Sequence, residues 1–107
     1  MPQTEKTRRA MLEEFVAANP ADAFARFGLA MECAGAGDDE AAIGHYRELL
    51  SSHPGYVTGY FQFGRLLARL GRDEEARKIL ASGMEAAAKA GDTHARDEME
   101  AFLQDIG

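Results

Sequence analysis

Apolar side chains recur along this chain at intervals of three and four residues, which is the spacing of one face of an α-helix. Prolines and glycines interrupt the pattern at intervals, and no segment shows the strict alternation of a half-buried strand. The pattern predicts six helices, at about 6–18, 20–35, 39–52, 56–70, 73–90 and 92–106. Helices of this length joined by tight turns predict an all-α, antiparallel array.

Polar residues before the second helix indicate where it begins. Asn19 is expected to cap its N-terminus, because a side-chain oxygen at that position accepts an unpaired backbone N–H. Pro20 suits the first turn, and Asp22 suits the positive end of the helix dipole.

The chain also contains an internal repeat. Two segments share the same spacing of large apolar residues and glycine, at a separation of 36: Phe24-x-x-Phe27-Gly28-x-x-Met31 and Tyr60-x-x-Phe63-Gly64-x-x-Leu67. The separation is 34 in two other pairs, Pro20 with Pro54 and Asp39 with Asp73. The two extra residues in the separation of 36 are assigned to a longer turn within 34–38 in the first unit.

This period and pattern resemble the tetratricopeptide repeat family, whose unit is a pair of antiparallel helices of about 34 residues. The resemblance implies one domain over 1–107, a stack of helix pairs forming an α-solenoid. A leading helix is expected at 6–20, two repeats at 21–54 and 55–90, and a C-terminal cap helix at 92–106.

The same resemblance assigns roles to the small and aromatic residues of the repeat. Gly28 and Gly64 are expected where a neighbouring helix approaches to backbone distance. Phe27 and Phe63 are expected in the seam between the two helices of each pair.

In function, the resemblance implies a non-catalytic module that binds a protein or peptide on the concave face formed by the first helices. The partner-binding residues expected there are Leu29, Cys33, Phe61, Arg65 and Arg69. For Phe61 two alternatives stay open: it faces the groove, or it packs against the neighbouring helix.

A basic stripe at i, i+4 and i+7 follows on the same segment: Arg65, Arg69 and Arg72. These side chains either receive an acidic or C-terminal carboxylate group of a partner or pair with local acids such as Asp73, Glu74 and Glu40. Some family members hold chaperone C-termini with a Lys/Asn clamp, but Ala25 and Leu29 occupy the positions of its first-repeat pair, and Gln62 could replace only one clamp amide.

Composition narrows the function classes further. Lys plus Arg number 12 against 18 Asp plus Glu, and this net charge of −6 disfavours nucleic acid as a partner. No apolar run approaches the roughly 18 residues of a membrane span, and no signal-like segment opens the chain, so a cytoplasmic protein is expected. The single cysteine can form no internal disulfide.

No set of residues predicts catalysis. His45 and His53 are too far apart along the chain to share a metal ion, and no nucleophile elbow or phosphate-binding loop occurs. Neither catalytic residues, nor a metal site, nor a cofactor is expected. Cys33 is either a partly buried helix residue or a reactive thiol, and Glu32 beside it disfavours the reactive form.

An alternative function is self-association through the end helices. The leading helix lacks a partner helix of its own, which leaves Met11, Phe15 and Val16 open to partial exposure. The expected state is therefore a monomer or a weak homo-oligomer.

Overall fold

The computed structural model describes residues 6–106, and these residues form six α-helices and no strand. The helices are α1 (Arg8–Ala18), α2 (Ala23–Gly35), α3 (Asp39–Ser52), α4 (Val57–Arg69), α5 (Asp73–Ala90) and α6 (Thr93–Ile106). Each expected helix is present, and the observed ends lie within one turn of the expected ones. The all-α helix-pair architecture is confirmed.

Consecutive helices are joined by short turns and pack as neighbours. The main contacts are within the pairs α2–α3 and α4–α5, with α1 packed on α2 and α6 packed on α5. Aromatic rings connect the two pairs, because Tyr46 of α3 stacks on Phe63 of α4 at 5.3 Å between centroids. Phe27 of α2 meets the same tyrosine edge-on at 6.4 Å. The core is therefore continuous from one pair to the next.

The two helix pairs align at a separation of 34, which corrects the separation of 36. The first helices begin at Ala23 and Val57. The turns that follow them carry glycines with left-handed backbone at Gly37 (φ 83°) and Gly71 (φ 77°). The turn within 34–38 is therefore no longer than its counterpart in the second pair.

The corrected alignment separates the two glycines that were expected at close approaches. A Cβ added to Gly64 would lie 2.7 Å from both Cγ and Cδ2 of Leu80, so the close approach is confirmed there. A Cβ on Gly28 would meet only Leu12 Cδ2, at 3.9 Å, so the expectation for Gly28 is wrong. The residue equivalent to Gly64 is Ala30, which is fully buried.

The N-terminus of α2 also differs from the expectation. Asp22 is the N-cap, and its Oδ1 accepts the backbone N–H of Ala25 at 2.9 Å. Asn19 instead closes α1, where its Nδ2 donates to the carbonyl of Phe15 at 3.0 Å. Pro20 lies in the connection between the two helices rather than in the first turn.

Candidate functional site

A groove of about 570 Å³ lies between α2, α4 and α6. Its lining from these helices comprises Met31, Ala34, Gln62, Arg65, Leu66, Ala68, Arg69, Phe102, Asp105 and Ile106. Tyr46 of α3 and Asp73 at the start of α5 complete it. Apolar side chains thus share the groove with two arginines and two carboxylates.

The structure brings only part of the expected set to this groove. Arg65 and Arg69 line it, but Leu29 is 1% exposed and Cys33 is fully buried. Both belong to the core face of α2, so their assignment to the groove is corrected. The cause is the alignment, because a slip of two residues turns a side chain by about 200° around a helix.

At the separation of 34, other residues of α2 occupy the positions equivalent to the groove residues of α4. Met31 is equivalent to Arg65, and Phe24 is equivalent to Thr58 at the start of the same face of α4. Both stand at large apolar positions of the sequence repeat, yet Met31 is 43% exposed and Phe24 is 77% exposed. Phe24 lies two helical turns before Met31, on the same face of α2, so the apolar surface continues beyond the groove.

Phe61 follows the second of its two alternatives and packs against the neighbouring helix. Its ring meets Phe102 of α6 edge-on, with centroids 6.0 Å apart. The guanidinium carbon of Arg65 lies 5.6 Å from the centroid of the Phe61 ring. This cation–π contact holds Arg65 at the groove wall, so Phe61 positions the arginine rather than lining the groove itself.

The basic stripe divides into paired and unpaired members. Arg69 donates to Asp39 at 3.1 Å and Arg72 donates to Glu40 at 2.9 Å, as expected if the stripe pairs with local acids. Among residues 6–106, no carboxylate oxygen lies within 4.0 Å of Arg65. Arg65 is thus the member of the stripe that forms no ion pair with a carboxylate among residues 6–106.

Tyr46 contributes a neutral polar group beneath the groove. A tyrosine phenol is already protonated at physiological pH, and burial raises the pKa of this one further, to about 12.

The remaining candidate residues for chemistry are not arranged for it. Burial raises the pKa of the Cys33 thiol, which favours its unreactive form. His45 Nδ1 lies 3.2 Å from Nη1 of Arg26, and burial followed by this cation lowers the imidazole pKa. In the described part of the chain, no three His, Cys, Asp or Glu side chains are grouped to hold a metal ion.

Stacked antiparallel helix pairs around a concave groove define an α-helical repeat protein. The family model for the tetratricopeptide repeat matches residues 34–96. The chain is also 33% identical over 95 residues to TPR repeat-containing protein PA0015 of Pseudomonas aeruginosa, covering 89% of this chain and 90% of that one. The protein belongs to the tetratricopeptide repeat family.

Solved structures agree with this assignment. A tetratricopeptide repeat domain protein from Salinibacter ruber, solved by NMR, superposes with a TM-score of 0.78 at 30% identity, covering 81% of this chain and 88% of that one. Protein BPP2914 from Bordetella parapertussis superposes with a TM-score of 0.81 at 27% identity, covering 95% and 89%.

Tetratricopeptide repeats generally serve as protein–protein interaction modules and non-enzymatic scaffolds. Within residues 6–106, no helix combines the length and hydropathy needed to cross a membrane.

Proposed function

We propose that the protein is a non-catalytic cytoplasmic module that binds a peptide or protein segment in the groove between α2, α4 and α6. The observation that carries this proposal is the groove itself. It places the exposed Met31 and Arg65, which forms no ion pair with the described residues, on facing helices. Both come from equivalent positions of the two repeats. They therefore present an apolar contact and a cation to the same ligand.

The ligand that fits is an extended segment with an apolar residue beside a carboxylate, whether of a side chain or of a chain terminus. Met31 and Phe24 supply the apolar area that carries most of the affinity at protein interfaces. An exposed charge pair contributes only about 0–1 kcal/mol. Arg65 is therefore expected to govern partner choice and salt dependence more than affinity.

Selection of random peptides displayed on phage, followed by chemical-shift mapping of the best binder, tests the proposal. We expect selected peptides that combine apolar and acidic residues, with shifts centred on Met31 and Arg65. Met31→Ala and Arg65→Glu should each weaken binding. Lys78→Glu, on an exposed position of α5, makes the same charge change away from the groove and should leave binding unchanged.

The outcome that contradicts the proposal is equally specific. Shifts confined to the exposed faces of α3 and α5, around Arg47 and Lys78, would place the ligand on the convex side. Equal loss of binding in Arg65→Glu and Lys78→Glu would reduce the role of Arg65 to the net charge of the protein.

A further inference from the structure

The first helix, α1, has the position of a second helix in the repeat. Shifted by one repeat from α3, α1 falls in register, with Asn19 and His53 as the C-terminal caps and Pro20 and Pro54 directly after them. Helices α3 and α5 each pack against a first helix of their own pair. Among residues 6–106, α1 has no such helix beside it.

Two side chains mark the face where that helix would pack. Met11 is equivalent to His45, which contacts Arg26 of the first helix in its pair at 3.2 Å. Phe15 is equivalent to Leu49 one repeat on, which is fully buried, and to Gly83 two repeats on. A Cβ added at Gly83 would lie 2.5 Å from Cβ of Tyr60, on the first helix of its pair.

In α1 the same positions are open to solvent. Met11 is 54% exposed and Phe15 is 48% exposed. They lie four residues apart, so they share one face of the helix. We call Met11 and Phe15 the vacant face, and it is distinct from the groove surface of Met31 and Phe24.

The charges on either side of the vacant face are self-complementary. Arg8 lies three residues before Met11 and Glu14 lies three residues after it, with side chains 78% and 60% exposed. Within the chain they pair with Glu32 and Lys6, and such exposed pairs contribute little in water and can exchange partners. A second α1 running antiparallel across Met11 brings Arg8 of each copy opposite Glu14 of the other. A two-fold interface requires this kind of self-complementarity, and the antiparallel direction is also that of the helices within the complete pairs.

We propose that α1 of a second copy of this chain occupies the vacant face, which gives a two-fold symmetric dimer. The contact buries Met11 and Phe15 of both copies between two charge pairs. It supplies each α1 with the antiparallel neighbour that α3 and α5 have within the chain. The dimer leaves the groove open, so it is independent of the proposed peptide binding.

Light scattering over a range of concentrations tests the oligomeric state. We expect a concentration-dependent dimer that Phe15→Ser weakens about tenfold or more, the loss typical of a buried aromatic contact. Phe24→Ser is the matched control, because it removes an even more exposed phenylalanine from the groove surface and should leave the dimer intact. Circular dichroism should show equal helix content in all variants.

Charge reversal tests the arrangement of the two copies. Arg8→Glu places two acidic pairs across the axis, and Glu14→Arg places two basic pairs there, so each variant alone should be monomeric. A mixture of the two variants restores both opposite-charge pairs and should dimerise. A wild-type monomer up to millimolar concentration, a dimer insensitive to Phe15→Ser, an open series of larger oligomers, or a mixture that stays monomeric would each overturn the proposal.

Discussion

Gly28 and Gly64 show how far one residue type can differ in its surroundings. Both lie within first helices, but a Cβ at Gly64 would come within 2.7 Å of buried Leu80 atoms, whereas Gly28 has room. We expect Gly64→Ala to lower the free energy of unfolding by about 1–3 kcal/mol, because overpacking a tight contact has this effect. Gly28→Ala should raise it by about 0.5–1 kcal/mol, since alanine favours the helix.

Urea denaturation of the two variants measures both effects. A stabilised Gly64→Ala variant would show that α5 can shift away from α4, and thus that the glycine is not required for the crossing. A destabilised Gly28→Ala variant would mean that α1 packs more tightly on α2 than the 3.9 Å separation indicates.

His45 is expected to make stability depend on pH. Burial and the Arg26 guanidinium, assisted by Arg9, lower its pKa below 6.5, while Glu13 and Asp38 act in the opposite direction. The unfolded chain then binds the proton first as the pH falls. The stabilisation by neutral His45 is therefore complete above about pH 6.5 and is lost below it, as the pH approaches the folded-state pKa.

The variant His45→Gln isolates this contribution, because glutamine offers Arg26 a neutral acceptor that does not titrate. Urea midpoints measured on either side of pH 6.5 should differ more for the wild-type protein than for the variant. Equal pH dependence in the two proteins would contradict the assignment to His45.

At the scale of the helices, the sequence was sufficient for the number of elements but not for their alignment. Apolar periodicity located all six helices, because each has a buried face. It could not distinguish a separation of 34 from one of 36, since α2 carries large apolar residues on both its core face, as at Leu29, and its exposed face, as at Phe24.

The turn glycines would have resolved the ambiguity. Gly37 and Gly71 both adopt positive φ, a requirement of the backbone that does not depend on which helix face is buried. The separation of 34 between these two glycines is therefore better evidence for the repeat length than the separation of 36 between the two aromatic segments. Asn19 was misplaced for a related reason, because a residue between two helices can cap either one.

These turns provide a prediction about the repeat as an element. Gly37→Ala and Gly71→Ala should each lower the free energy of unfolding by about 1–2 kcal/mol, the usual penalty for a left-handed backbone with a Cβ. Gly35→Ala is the control, since Gly35 ends α2 without a positive φ and has open space around it. Thermal unfolding with clearly different losses at 37 and 71 would contradict their equivalence.

At the scale of the whole molecule, the groove could be predicted only in part. Its cationic wall at Arg65 and Arg69 follows from α4, whose assignment was correct. Its apolar wall at Met31 could not be predicted, because the separation of 36 aligns Leu29 rather than Met31 with Arg65. The contact of Phe61 with Phe102 depends on how the last helix returns over the stack, which no local pattern encodes.

The stack should also open unevenly, because its two ends are covered differently. Each end helix has one buried residue, Val16 in α1 and Met99 in α6. Around these, α1 packs only Leu12 against the core and leaves Phe15 exposed, whereas α6 packs Phe102, Leu103 and Ile106. In a repeat protein each element is stabilised by its neighbours, so the less covered end opens at a lower free energy.

Amide hydrogen exchange measures this difference helix by helix. In the Phe15→Ser variant, we expect the amides of α1 to exchange fastest, those of α6 next and those of α4, which has six buried residues, slowest. In the wild-type protein, exchange in α1 alone should slow as the protein concentration rises, because pairing with a second copy covers the vacant face. If the amides of α1 in the variant exchange as slowly as those of α4, the prediction is wrong. Contacts within one chain would then stabilise α1 fully, and the exposure of Met11 would not lower its stability.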